Sequence, residues 1–307
     1  MGLYLITGGA GFIGSHLADA LLARGDAVRV LDDLSTGRRE NLPPAASLIV
    51  GDVADPAAVR AAMAGVDGCF HLAAIASVAR AAEDWLGTNR ANLVGTIAVL
   101  DAARGARTPV VYASSAAVYG DCPVQPIAET APTAPRSAYG ADKLACELHA
   151  AVATEVFGVP TVGLRFFNVF GPRQSPGSPY SGVISIFAGR LRRGEAVDVF
   201  GDGGQTRDFV YVADVVAALL GAMTRRPAGH RVFNVCTGHA TSVRALAETI
   251  ASLSGQALQA RTHPPRPGDI RHSVGLPVAA REALGLAPPT PLRDGLADVL
   301  AWLAQGE

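Results

Sequence analysis

The feature that most limits how this chain can fold is the run Gly8-Gly9-Ala10-Gly11-Phe12-Ile13-Gly14. It follows the apolar segment Leu3–Thr7 and opens into an apolar-periodic stretch over Phe12–Ala23. Glycine permits a tight turn after a strand and lets backbone amides, at the positive end of a helix, approach a pyrophosphate. The last glycine of such a turn lets helix and strand pack closely. A GxxGxxG pattern is weak evidence alone, but the strand-turn-helix context makes a dinucleotide site the expectation, with Gly8, Gly11, Phe12, Ile13 and Gly14 against the cofactor.

The first half continues with apolar runs at 28–31, 48–50, 66–72 and 110–113, a helix over 137–157 and a strand at Thr161–Phe166. Strands alternating with helices imply a parallel sheet covered on both faces, an α/β class with Rossmann-type doubly wound topology. After Asn168 the texture changes: Gly171-Pro172 and the stretches 175–182, 264–268 and 288–291 are rich in Pro, Gly or Ser. These read as long functional loops on a smaller, less regular, mostly C-terminal α/β domain. Residues 208–220 and Arg231–Val235 read as a helix and strand returning to the sheet. The expected division is 1–167 with about 208–236 for the dinucleotide, and about 168–207 with 237–307 for substrate.

Asp32 closes the second strand about 20 residues past the glycines, where a carboxylate accepts hydrogen bonds from both adenosine ribose hydroxyls and repels a 2′-phosphate. NAD is therefore expected over NADP. Asp33 is placed to share the role, and Asp52-Val53, after the third strand, to meet the adenine.

The chemistry is expected at Tyr139 and Lys143, four residues apart on one helix face. A cation beside a phenol favours the phenolate and makes a usable base. Of 26 basic residues Lys143 is the one lysine, leaving 25 arginines. Placed at random among six tyrosines it would have this spacing about 2% of the time, so the pattern carries weight. An arginine fork does not replace a compact ammonium that must reach both a phenolate and a ribose. Ser114-Ser115 follows the strand at 110–113, at the sheet edge where open α/β proteins carry their sites, and Ser115 is placed to bond the reacting oxygen.

The remaining composition excludes other classes. A net charge of −1 gives no general attraction to nucleic acid or to an anionic membrane. No stretch has the length and apolarity of a membrane span, and residues 1–7 lack the basic flank and cleavage site of a secretory signal, so a cytoplasmic protein is expected. Cys69, Cys122, Cys146 and Cys236 are scattered without metal spacing, and no metal site is expected.

At this point the chain resembles an extended short-chain dehydrogenase/reductase of the nucleotide-sugar epimerase branch typified by UDP-galactose 4-epimerases. The resemblance spans nearly the whole length: GGAGFIGSHL, LDDLSTG, GDVAD, HLAAIASV, SSAAVYG, YGADK, LRFFNVFGPRQ, GDGGQTRDFVYVADV and RPGDIRHS. It implies a UDP-sugar substrate, tightly held NAD, and a homodimer formed by helices of the Rossmann domain. It further implies catalytic Ser115, Tyr139 and Lys143, and cofactor-pocket positions at Leu72, Ala73, Ala74 and Asn92. Asn168, Arg207 and Arg266 would meet the substrate diphosphate, Phe200 the uracil and Val183 the substrate. Ser273 would stand where a small residue admits a 2-N-acetyl group. Related dehydratases and decarboxylases carry acidic residues just after the catalytic hydroxyl, where this chain has Ala116 and Ala117, which points to 4-epimerisation of UDP-Glc/UDP-Gal and of the N-acetylated pair. The alternatives are a 4-epimerase of UDP-glucuronate or a UDP-pentose, and a noncatalytic NAD-binding protein.

Overall fold

In the computed structural model, which describes residues 1–174, 182–266 and 269–306, seven strands form one parallel sheet. Their order is Arg231–Val235, Thr161–Phe166, Val110–Ser115, Gly68–His71, Leu3–Thr7, Ala27–Asp32, Ser47–Val50. The chain runs outward from Leu3–Thr7 in one direction, then returns to Gly68–His71 and runs outward in the other. The crevice between these two central strands is the topological switch point, where ligands of such sheets bind. The expected α/β doubly wound fold is present.

Alternation along each strand sends neighbouring side chains to opposite faces. In Leu3–Thr7, Leu5 joins one core and Ile6 the other. The Ile6 side is covered by Phe12–Ala23 through Leu17, Ala18 and Leu21, and by Val212–Arg225 through Val215, Leu219 and Ala222. The Leu5 side is covered by Pro56–Met63, Gly95–Ala103 and the later turns of Ala138–Phe157, through Val59, Val99, Ala150 and Ala153. Burial on both faces explains why several strands are nearly all apolar. Among the described residues no helix is long and apolar enough to cross a membrane.

A further core gathers Phe170, Ile184, Phe187, Val199, Phe209, Leu246, Ile250, Leu296 and Val299. It is built on the helices Val183–Arg192, Val243–Ser254 and Leu292–Ala304. Its strands are short and pair only in two- and three-stranded sheets, while the segments between the Pro and Gly residues keep helical periodicity. Residues 175–181, most of one expected loop, and Pro267-Gly268 in another lie outside the described residues. The helix Val278–Leu284, expected with the second unit, packs Ala280 and Leu284 into the core on the Ile6 side of the sheet.

The expected helix over 208–220 begins later. Asp208 precedes a short strand, Phe209–Tyr211, paired in parallel with Asn168–Phe170, and the helix occupies Val212–Arg225. Asp208 is fully buried and its carboxylate accepts from the Thr237 amide (2.8 Å), the Thr237 hydroxyl (2.7 Å) and the amides of Gly238 (2.9 Å) and Gly275 (3.3 Å). One side chain thus ties three separate crossings of the chain. Orphaning buried backbone amides costs about 1–3 kcal/mol each, so Asp208→Ala is expected to lower stability by about 3 kcal/mol and Asp208→Asn by less, as read by urea denaturation.

Candidate active site

The glycine turn explains itself atom by atom. Gly8 adopts a φ of +71°, and a Cβ there would stand 2.7 Å from the backbone of Ala73. A Cβ on Gly14 would meet the Gly8 carbonyl oxygen at 2.4 Å. Gly11 caps the helix Phe12–Ala23 without a side-chain hydrogen bond, so its first amides are left to a ligand. This backbone cradle, with Leu72, Ala73 and Ala74 half-buried beside it, fits a dinucleotide.

Asp32 has a second task that spacing did not reveal. It is buried, and its carboxylate accepts from the amides of Ala10 and Leu34, both at 2.9 Å, bracing the glycine turn against the second strand. Burial raises its pKa. Asp33 is exposed and accepts from the Ser35 amide and hydroxyl. Asp52 accepts from the Ala54 amide and pairs with Arg90 at 2.9 Å, while Val53 is buried beside Gly95.

Asn92 is fully buried in a π-helical turn, Arg90–Val94. Its side chain accepts from the Ile75 amide (2.8 Å) and donates to the Ile75 carbonyl (3.3 Å). It therefore shapes the loop after Gly68–His71, with both ends of its amide engaged there. Below it, His71 bridges Thr7 (Nδ1 to Oγ1, 2.7 Å) and Thr96 (Nε2 to Oγ1, 2.9 Å), and Thr96 donates to the Asn92 carbonyl at 2.6 Å. Neither His71 nor Thr96 was singled out as a site residue from sequence.

Ser137 caps Ala138–Phe157, accepting from the Gly140 amide at 3.1 Å. This places Tyr139, half-buried, in the first turn and Lys143 on the buried face. Lys143 Nζ donates to the Ala113 carbonyl at 2.9 Å and lies 5.9 Å from the Tyr139 ring centroid. Ala113 stands two residues before Ser115 in the strand Val110–Ser115. Ser115 Oγ accepts from the Ala117 amide at 3.1 Å, and a Cβ on Gly140 would touch the Ala117 carbonyl oxygen at 2.7 Å. The lysine, the turn after the serine strand and the first turn of the tyrosine helix are thus in direct register at the carboxyl edge of the sheet.

Three of the expected substrate residues, Asn168, Arg207 and Ser273, meet around Asp208. The Asn168 amide donates to the Asp208 carbonyl, the Asp208 amide donates to the Ser273 carbonyl, and Ser273 pairs in register with Arg207. Asn168 itself is exposed and Val183 is half-buried at the start of its helix. Arg207 donates to Asp269 at 2.5 Å and to the Thr206 carbonyl at 2.8 Å. Phe200 stacks on His263 at 5.1 Å, and the Arg266 guanidinium lies 3.9 Å from its ring centroid, so the expected uracil and diphosphate residues touch one another.

A model of the NAD dependent epimerase/dehydratase family matches residues 4–236. A UDP-glucose 4-epimerase of Mycolicibacterium smegmatis is 40% identical over 97% of each chain. The structure of a Thermus thermophilus UDP-glucose 4-epimerase complex with NAD superposes with a TM-score of 0.92 at 36% identity, covering 99% of this chain and 100% of its own. That of a Methanobrevibacter ruminantium UDP-N-acetylglucosamine 4-epimerase in complex with UDP-N-acetylmuramic acid gives 0.95 at 33%, covering 100% and 99%.

Burial, with repulsion from Lys143, holds His71 at a pKa of about 3 against an ordinary 6.5. The folded state refuses a proton that the unfolded chain accepts below pH 6.5. This site's contribution is therefore complete above pH 6.5 and is lost as pH falls toward 3. The stability advantage of the wild type over His71→Gln is expected to shrink by roughly 2 kcal/mol between pH 7 and pH 5, measured by urea denaturation at both.

Proposed function

Because the chain belongs to the NAD dependent epimerase/dehydratase family, as a nucleotide-sugar epimerase of the extended short-chain dehydrogenase/reductase type, we propose that it interconverts UDP-hexoses at C4. The observation that carries this reading is the meeting of Tyr139, Lys143 and the Ser115 turn at the carboxyl edge beside the glycine cradle, with alanine at both 116 and 117. Gly8, Gly11, Phe12, Ile13, Gly14, Asp32 and Asp33 would hold NAD, with Asn92 shaping the pocket through Ile75. When bound, NAD accepts a hydride from C4 and returns it to the other face of the sugar, and so is regenerated in each cycle.

The residues of the chain supply the proton and the grip. Tyr139 takes the O4 proton and later gives it back, and Ser115 shares the hydrogen bond to O4. Lys143, buried and cationic, offsets the negative charge Tyr139 carries as base. Asn168, Arg207 and Arg266 hold the diphosphate while the 4-keto sugar turns over, guanidinium forks being suited to phosphate oxygens. Elimination and decarboxylation need a further acid or base after the hydroxyl, and the methyl groups of Ala116 and Ala117 provide none.

The division into an NAD unit and a substrate unit belongs to the same proposal, supported by the separate core around Phe170 and Leu246. So does a homodimer. Leu148, Val152 and Val156 recur every four residues along Ala138–Phe157 and are exposed, as are Val94 and Ile97 near the neighbouring helix. An apolar face of this kind suits a second copy.

Tyr139→Phe is expected to lower kcat by about 10²–10⁴-fold while NAD stays bound, read by UDP-galactose turnover and by cofactor release on denaturation. Retained turnover would remove Tyr139 from the mechanism. Ser273→Tyr is expected to cut activity on UDP-GlcNAc by roughly tenfold or more and to spare UDP-glucose, since added bulk excludes the larger sugar; equal activity on both would discredit the gate.

A further inference from the structure

Behind Ser115 lies a buried polar assembly that the proposed chemistry does not use. Ser114, facing the opposite way from Ser115 along the strand, donates to Glu147 Oε1 at 2.5 Å. Glu147 stands one helical turn beyond Lys143 and two beyond Tyr139, on the same helix. Its carboxylate is gripped on both oxygens by Arg165, Nε to Oε1 at 2.8 Å and Nη2 to Oε2 at 2.7 Å, with both side chains buried. Arg165 Nη1 donates to the Tyr119 hydroxyl at 2.8 Å, and that hydroxyl donates to Asn234 at 2.6 Å. Tyr119 ends the short helical turn Ala116–Tyr119 that Ser115 caps.

We infer that Ser114, Glu147 and Arg165 are positioning residues that hold Ser115 at a fixed distance from Tyr139. The serine is held from both sides, through Ser114 before it and Tyr119 after it, by one ion pair. The carboxylate of that pair belongs to the tyrosine helix, and its guanidinium to the next strand, where Arg165 sits in register with Ser114. A bidentate pair constrains angle as well as distance. Packing alone would not require it, since well-packed apolar residues commonly replace a buried ion pair without loss of stability. What the pair adds is orientation of the strand end and its turn against the first turn of the helix, where a Cβ on Gly140 would meet Ala117.

The kinetic arm of the test rests on the epimerase reading; the exchange arm does not. The double variant Glu147→Met/Arg165→Met removes both charges, and Ser114→Ala cuts the link to the strand while leaving the pair intact. Full-length proteins are assayed for UDP-galactose turnover, thermal midpoint and native-state hydrogen exchange of the peptide covering 114–120. For the double variant the expected result is kcat lower by about tenfold or more, KM within about twofold, exchange about tenfold faster at 115–120, and a thermal midpoint near that of the wild type. Ser114→Ala is expected to lower kcat about three- to tenfold with the same unchanged KM, and it decides the matter if the double variant does not fold. Wild-type kcat and wild-type exchange in the folded variants overturn the inference, as does a fall in activity that merely follows a lowered midpoint and a raised KM. A wild-type protein without turnover on any UDP-sugar sinks the epimerase reading instead, and the exchange rates then decide the positioning role.

Discussion

Parallel strand pairing is the constraint from which the rest follows. Every strand of the seven-stranded sheet ends at the same edge, so residues scattered from Gly8 to Val235 in sequence arrive together in space. The glycine turn follows the first strand, Asp32 closes the second, Asp52 follows the third, Leu72 the fourth, Ser115 closes the fifth and Asn168 follows the sixth. A reversal of strand order beside Leu3–Thr7 opens a crevice at that edge.

Arrival at an edge does not fix angles, and buried polar side chains do that work. His71, Asn92, Asp208 and Glu147 are all buried, and each spends its polar atoms on backbone or side chains of another crossing. Such groups are costly unless satisfied, so their presence beneath the site marks where geometry is held most tightly. Asp208 binds the segments at 237–238 and 275 to its own. Glu147 joins the tyrosine helix to the serine strand.

The fold class and the glycine cradle were legible in sequence because both rest on local chemistry: apolar period, glycine spacing and strand length. Tyr139 and Lys143 were legible because one helix carries them and a lone lysine is conspicuous among arginines. The helix expected at 208–220 is present but occupies Val212–Arg225, starting four residues later. Pro, Gly and Asp punctuate a chain without saying what is on the other side of the punctuation. Asp208 looked like a helix start and is a buried acceptor for segments near 237 and 275.

By itself the sequence determined the doubly wound sheet, the glycine turn and the placing of Tyr139 and Lys143 on one helix, because each is specified by neighbours within a turn or a strand. The tertiary structure alone decided that Asp32 braces the glycine turn, that Asn92 holds Ile75, that Arg266 lies on Phe200, and that Glu147 and Arg165 stand behind Ser115. Those pairings join residues from 17 to 66 positions apart. Sequence periodicity shows which way a side chain faces, but only the packed sheet shows which distant atom it meets.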